Sequence, residues 1–201
     1  MPNPEKYIKD AENRGDIVVG MTNLPSHFRM GINHVKCYNN IRLGLGFHPQ
    51  LISEHMTELA IFESSVNQTS YIGEIGLDFS RDYIASKDIQ LECLKRILSS
   101  ICEKKKIVSV HSRKAEKELF TILKDFKIEN VIFHWYSGPL NLIDDIVNEG
   151  YYFSINEAMT LSESGRRIIS KIPADRILTE SDAPYNNKNN ITTIAVAIPI
   201  T

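Results

Sequence analysis

The sequence predicts an α/β protein built as a (β/α)-barrel, and three observations carry that prediction. Short β-rich runs alternate strictly with helical stretches, seven runs in all. The connections are short and none is low-complexity, which implies parallel strands joined by right-handed crossovers. Polar side chains recur at the C-terminal ends of the runs, where barrels of this kind build their sites. An open doubly wound sheet shares the alternation, and the polar strand ends favour the barrel.

The elements follow in order. Asn3 or Pro4 opens a helix to about Asn13, and Gly15 stops it. Residues 16–21 are a β-rich run, and residues 25–39 read as a helix carrying His27 and His34. A second strand over residues 41–47 ends at His48-Pro49, and a helix follows to about Ser65. Residues 69–75 form the third strand, which ends at Glu74. Residues 86–104 make a long amphipathic helix, because Ile89, Leu91, Leu94, Ile97, Leu98 and Ile101 return at helical spacing. The later strands cover residues 107–110, 131–133, 151–155 and 176–179, with helices at 115–126, 140–148 and 162–172 between them. A barrel of eight strands needs one more, expected to precede Met1.

A chain of 201 residues can bury one sizeable core. Lysine plus arginine is 23 and aspartate plus glutamate is 25, so no global basic field advertises a nucleic-acid binder. A local basic patch or bound cations can still attract one. Cys37, Cys93 and Cys102 have no CxxC spacing and read as reduced, mostly buried thiols of a cytoplasmic protein. The N-terminus has no apolar signal region, and the apolar stretch 191–200 is too short to span a bilayer as a helix, so no membrane role is expected.

The most informative segment is Gly73-Glu74-Ile75-Gly76-Leu77-Asp78. Glycines bracket a glutamate where a strand ends, so its carboxylate points into a mouth rather than a core. His111, His134 and Asp182 stand at similar ends further along. Any one of the four alone reads as a surface carboxylate or a satisfied histidine. Their repetition at one structural phase points to a metal site of a hydrolase. Imidazole with carboxylate suits zinc, manganese or iron better than magnesium. Asp78 reads either as an orienting partner of a ligand or as a cap, and Glu180 as an orienting partner or a solvated carboxylate. Trp135 and Tyr136 either stack on a base or pack under their loop. Lys104-Lys105-Lys106 reads as a solvated helix end, Glu157 as an exposed loop residue near the mouth, and His27, His34 and His55 have no assigned role.

Five segments, in order, resemble the TatD family of metal-dependent deoxyribonucleases. They are Gly46-Phe47-His48-Pro49, Gly73-Glu74-Ile75-Gly76-Leu77-Asp78, Val110-His111-Ser112-Arg113, His134-Trp135-Tyr136-Ser137-Gly138 and Thr179-Glu180-Ser181-Asp182-Ala183-Pro184-Tyr185. The form of residues 134–138 and the Pro2-Asn3-Pro4 start are most similar to the TatD-like nuclease of Qat anti-phage defence systems. The resemblance implies a (β/α)8 TIM barrel of the metal-dependent hydrolase type. It implies hydrolysis of phosphodiester bonds in DNA with two divalent ions (Zn, Mn or Mg), and partner proteins of a defence system. Glu74, His111, His134 and Asp182 would be metal ligands. Glu74 would bridge the ions and Asp182 would help activate water, so these two would be catalytic. His48 and Arg113 would meet substrate phosphate.

The family opens with a strand carrying His-x-His, and the six histidines here contain no such pair. The family also continues past Tyr185 with a helix that closes the barrel. Residues 1–201 are therefore expected to be a single barrel domain, incomplete at both ends, and a poor nuclease by itself. Strands 16–21 and 176–179 would leave open edges, which residues 191–200 or another chain could cover. Two other readings stay open: a hydrolase of another bond, such as an amide or ester, and a non-catalytic subunit that binds nucleic acid or partner proteins.

Overall fold

The computed structural model describes residues 4–182; the strand candidate at 191–200 and the loop at 186–190 lie outside them. Seven parallel strands lie side by side in chain order: β1 (Val18–Met21), β2 (Ile41–Gly44), β3 (Tyr71–Asp78), β4 (Ile107–Arg113), β5 (Val131–His134), β6 (Tyr152–Ile155) and β7 (Ile177–Thr179). The β1–β2 ladder and the β3–β7 ladder meet at a seam. There Leu45 N–H donates to Tyr71 O at 2.9 Å, Gly73 N–H to Leu45 O at 2.9 Å, and Phe47 N–H to Glu74 O at 3.0 Å. Among the described residues β1 pairs only with β2 and β7 only with β6.

Helix α1 (Pro4–Arg14) precedes β1 and stops at Gly15, whose φ of 75° suits a residue without a Cβ. Helix α2 (Pro25–Val35) starts with its proline in the first turn, where a missing N–H costs nothing. The helix predicted up to Ser65 is broken into α3 (Ile52–His55) and α4 (Leu59–Ser65) by tighter turns. Helices α5 (Lys87–Ile101), α6 (Glu116–Asp125) and α7 (Ile143–Asn148) follow the next three strands. The helix predicted at 162–172 is α9 (Glu163–Ile169), and a short helix that the sequence did not show, α8 (Glu157–Leu161), precedes it. Each has its own cap: Asn156 Oδ1 accepts from Met159 N–H at 3.0 Å, and Ser162 Oγ from Gly165 N–H at 3.1 Å. Glu157 is thus an exposed residue of a first helical turn rather than of a loop.

One core joins the strands to α4, α5 and α6 through residues such as Leu45, Ile72, Val108, Phe133, Leu94 and Leu119. Each such buried side chain contributes about 1.5–3 kcal/mol of transfer free energy. A small satellite of Ala11, Val18 and Ile41 lies under α1. Of the three thiols only Cys93 is buried, while Cys37 and Cys102 are exposed; sitting in or just after a helix does not by itself fix which face a cysteine takes. Lys106 is not part of a solvated run either. Its ammonium donates to Val66 O at 2.8 Å and Thr69 O at 2.5 Å, tying the end of one crossover to the start of β4.

Two glycines set the strand spacing at the C-terminal end. A Cβ on Gly46 would stand 1.6 Å from Thr22 O, and one on Gly76 would stand 2.1 Å from His111 O. Gly76 also has a φ of 141°, which side chains disfavour. The backbones of β3 and β4 can approach each other here only because that atom is missing.

Candidate metal and phosphate site

Glu74, His111, His134, Asp182, His48 and Arg113 all line one open cleft of about 720 Å³ at the C-terminal ends of the strands. The six positions singled out in the sequence therefore converge. His111 lies inside β4 rather than just beyond it, because the ladder with β3 continues to Arg113. Glu74 sits where that ladder shifts register between Ile72 and Ile75. The irregularity turns its carboxylate toward the mouth instead of across the sheet.

Glu74 is the centre of the constellation. Its Oε1 lies 3.3 Å from His111 Nδ1 and 3.7 Å from His134 Nε2, and its Oε2 lies 4.0 Å from His48 Nε2. Asp182 Oδ1 is 3.7 Å from the same His134 Nε2. Despite these neighbours no donor meets Glu74 Oε1 in hydrogen-bonding geometry, although the atom is buried. A buried carboxylate oxygen without a donor costs about 1–3 kcal/mol or more unless positive charge reaches it. Burial would raise the Glu74 pKa, but the charge on His134 and the contact with His111 hold it at about 2. Burial likewise opposes charge on His134, yet Glu74 and Glu180 lift it to about 9. His111 is raised too, against burial, by Asp78 and Glu74. Burial pushes Asp182 up to about 6, with Glu74 and Glu180 adding to it and His134 opposing. The cluster asks for positive charge at its centre, from protons on the imidazoles or from a cation.

The donor set fits a divalent cation. Two ligands bound about 2.0–2.1 Å from one tetrahedral ion stand about 3.3 Å apart, as Glu74 Oε1 and His111 Nδ1 do. Glu74, His111 and His134 present carboxylate and imidazole atoms on one side of the cleft, with Asp182 beside His134. His48, Glu74 and His111 also bring ligand atoms within 4.8 Å of one another. His48 nevertheless suits another task. Its Nδ1 accepts from Gln50 N–H at 3.4 Å, which leaves the proton on Nε2, the atom facing Glu74. Burial holds its pKa down at about 4, with Glu74 opposing, so it is a neutral donor at ordinary pH.

Both candidate imidazole ligands are backed by carboxylates. His111 Nε2 is 3.0 Å from Asp78 Oδ2, an oxygen that also accepts from Gln50 Nε2 at 2.8 Å. The other Asp78 oxygen accepts from Ser80 N–H at 2.9 Å, so Asp78 both orients a histidine and closes a turn. The two readings of Asp78 are both realised. Gln90 grips the Asp78 backbone from α5, accepting from its N–H at 2.8 Å and donating to its carbonyl at 2.9 Å. His134 Nδ1 lies 2.5 Å from Glu180 Oε2. Asn156 Nδ2 donates to Glu180 Oε1 at 2.9 Å, and Ser154 Oγ donates to Oε2. Glu180 is thus a buried partner of His134 and not a solvated carboxylate. Gln50, Gln90, Ser154 and Asn156 were not visible in the sequence as site residues, because nothing local marks a buried amide or hydroxyl.

Tyr136 and Trp135 part company. Tyr136 is buried, edge-on to Phe133 and Phe153, with its hydroxyl donating to Pro139 O at 2.7 Å. Trp135 lines the cleft. Lys104 and Lys105 lie before β4, at the opposite end of the strands from the cleft.

A parallel barrel-type sheet with histidines and carboxylates gathered at its C-terminal end is the arrangement of the metal-dependent hydrolase folds. The comparisons with known proteins make this specific. The family model described as TatD related DNase matches residues 2–199, and the chain belongs to that family. The TatD homologue YJJV of Escherichia coli K12 superposes with a TM-score of 0.81 at 21% identity, covering 98% of this chain and 81% of that one. The fold is accordingly of the TatD (β/α)-barrel type. An uncharacterized metal-dependent hydrolase of Methanocaldococcus jannaschii is 31% identical over 150 residues, covering 73% of this chain and 58% of its own length. Human deoxyribonuclease TATDN3 is 29% identical over 129 residues, covering 63% of this chain and 47% of that protein. The chain thus spans about half the length of these two relatives. No helix of the described residues is long and apolar enough to cross a membrane.

Proposed function

We propose that this chain is a metal-dependent phosphodiesterase acting on DNA in the cytoplasm. The observation that carries the reading is Glu74: a buried carboxylate with one oxygen unmet by any donor, ringed by His111, His134 and His48. In this reading Glu74, His111 and His134 hold a divalent ion and Asp182 stands beside a second. A bound divalent ion supplies a water of lowered pKa and polarises the phosphoryl oxygen. Asp182, beside His134 in the cleft, is placed to accept the proton of the attacking water. His48 offers Nε2–H, and Arg113 its guanidinium, to the oxygens of the phosphate. Family membership and relatives named as deoxyribonucleases support DNA as the substrate.

The finer assignment is a component of an anti-phage defence set, working with partner proteins. The form of residues 134–138 and the Pro2-Asn3-Pro4 segment support it. The decisive experiment is cleavage of a labelled oligonucleotide with zinc, manganese or magnesium added. Cleavage, expected to be weak in a chain without His-x-His, should disappear with EDTA and in Glu74→Ala. Undiminished cleavage by Glu74→Ala would remove the reading. Unchanged phage plating on cells carrying the intact operon or its Glu74→Ala form would remove the defence role alone.

A further inference from the structure

We propose that the wedge between the N-terminal ends of β2 and β3 is a binding site for a nucleoside monophosphate, at the end of the strands opposite the metal site. The inference does not depend on the phosphodiesterase reading and concerns a part of the molecule which that reading leaves unused.

The wedge exists because the sheet is not joined there. Among the described residues β2 is laddered to β1, and backbone bonds toward β3 begin only at Leu45. Toward their N-terminal ends β2 and β3 part, and Thr69 Oγ1 stitches the gap by donating to Leu43 O at 2.9 Å. The open space left is about 450 Å³, with the last turn of α2 along one side. Small-molecule sites run from roughly 300 to 1,000 Å³.

Three cations line this space, Lys36, Arg42 and Lys106, and among the described residues no aspartate or glutamate does. The whole chain has more acids than bases, 25 against 23, so the grouping does not follow from composition. Among the described residues the three cations donate only to uncharged acceptors. Lys36 Nζ meets Asn33 Oδ1 at 2.8 Å, and Arg42 Nη1 meets Ile41 O at 3.0 Å. Lys106 gives two of its three N–H groups to Val66 O and Thr69 O. Burial holds its ammonium below the usual lysine range, and Lys104 adds to that effect. A phosphate monoester brings a charge of about −1.5 to −2 near neutral pH and three strong acceptor oxygens. It would answer all three cations with charge-assisted bonds.

The rest of the lining asks for an organic body on that phosphate. Val35, Ile41 and Leu43 make an apolar wall, and Tyr38 and Tyr71 add half-buried rings. The exposed amides of Asn67 and Gln68 line the space as well. A planar base stacks on aromatic side chains, and side-chain amides pair with base edges. Inorganic phosphate would leave the apolar wall unmet, and a bare nucleoside would leave the cations unmet.

The test is calorimetric titration of the full chain with deoxyadenosine monophosphate, deoxyadenosine and inorganic phosphate. EDTA is present throughout, so that divalent ions at the other end of the strands take no part. Amide chemical shifts of the nitrogen-15-labelled chain locate the ligand. The monophosphate should bind more tightly than either fragment and move the amides of residues 35–43 and 67–71. Arg42→Gln should weaken it by roughly 10- to 150-fold, the loss of one hydrogen-bonded charge, and leave deoxyadenosine unaffected. Lys36→Gln, at an exposed helix end, should act in the same direction. Monophosphate binding no tighter than either fragment would overturn the proposal. So would shifts confined to Ser112, Trp135 and their neighbours, or undiminished binding by both variants. Absence of binding would overturn it too and leave the phosphodiesterase reading, tested by Glu74→Ala, untouched. The wild-type shifts and the comparison of the three probes decide the matter even if Arg42→Gln does not fold.

Discussion

The two histidines beside Glu74 are supported in different ways. Asp78, behind His111, has no exposed side-chain surface and answers to donors from separate parts of the chain: Gln50, Ser80 and His111. Its backbone is gripped in addition by Gln90 of α5. Glu180, behind His134, takes its donors from one neighbouring strand end, Ser154 and Asn156. The first support is woven into the packing of β3, α5 and the β2–β3 crossover. The second is a local bracket between β6 and the end of β7. A residue can therefore orient a ligand either as part of the fold's framework or as an attachment to it, and only the second can be altered without unfolding its surroundings.

The largest effect should follow Asp78→Ala. Removing one partner from a buried charged pair costs about 3–5 kcal/mol, because the donors left behind remain buried. Thermal unfolding followed by circular dichroism should move down by roughly 6–20 °C. A melting temperature within a degree or two of wild type would mean that Asp78 is not part of the framework. Glu180→Gln should separate the two roles in the opposite sense. It keeps the shape and removes the charge that fixes the proton on His134 Nδ1. Calorimetric titration with zinc or manganese should show affinity lower by about 10–100-fold, with less loss of thermal stability than Asp78→Ala. If Glu180→Gln melts as low as Asp78→Ala, the two supports do not differ.

Ser154→Ala should be milder, since it removes one donor from a carboxylate that keeps two others. A loss of about 0.5–1.5 kcal/mol in urea unfolding is expected, with metal affinity nearly retained. A drop in affinity matching that of Glu180→Gln would show that the bracket acts as one unit. The last difference emerges only in alkali. Burial pushes the Cys93 thiol, on the α5 that covers β3, up to about 12, and burial also pushes the Tyr151 phenol, just before β6, up to about 12. Both groups keep their protons longer when folded than when unfolded. Their contribution is fully present below the unfolded values, near 9 and 10, and is lost as pH rises toward 12. Unfolding free energy should already fall between about pH 6.5 and 9, as the raised His134 gives up its proton, and should fall again above about pH 9, where Cys93→Ala should flatten the first part of that second decline. A decline above pH 9 that Cys93→Ala leaves unchanged would assign it to other groups.

Much of this was legible in the sequence. The seven strands, and four residues that meet in one cleft, Glu74, His111, His134 and Asp182, follow from alternation and from polar residues at strand ends, because chain order and spatial order coincide in a parallel sheet; His48 and Arg113 of the same cleft came from the family resemblance. What escaped depends on contacts between elements distant in sequence. Gln50 and Asp78 are 28 residues apart, and Asn156 and Glu180 are 24 apart. An amide or hydroxyl that completes a carboxylate's shell looks like any surface residue until the packing is known. Helix α8 escaped for a related reason: at five residues it is too short to show a hydrophobic period, and only the bond from Met159 N–H to Asn156 marks its start. Cys37 and Cys102 failed because cysteine composition cannot tell which side of a helix end is covered.

Gly76 shows how absence of matter can dictate chemistry. Its neighbour across the ladder is His111, and any side chain there would collide with that residue's carbonyl oxygen. A methyl group at this position would wedge β3 from β4 and turn Glu74 and His111 away from each other with neither residue changed. In a survey of inactive variants Gly76 would score beside the ligands and be mistaken for one. What such a survey would be measuring there is a tolerance, the gap between two strands.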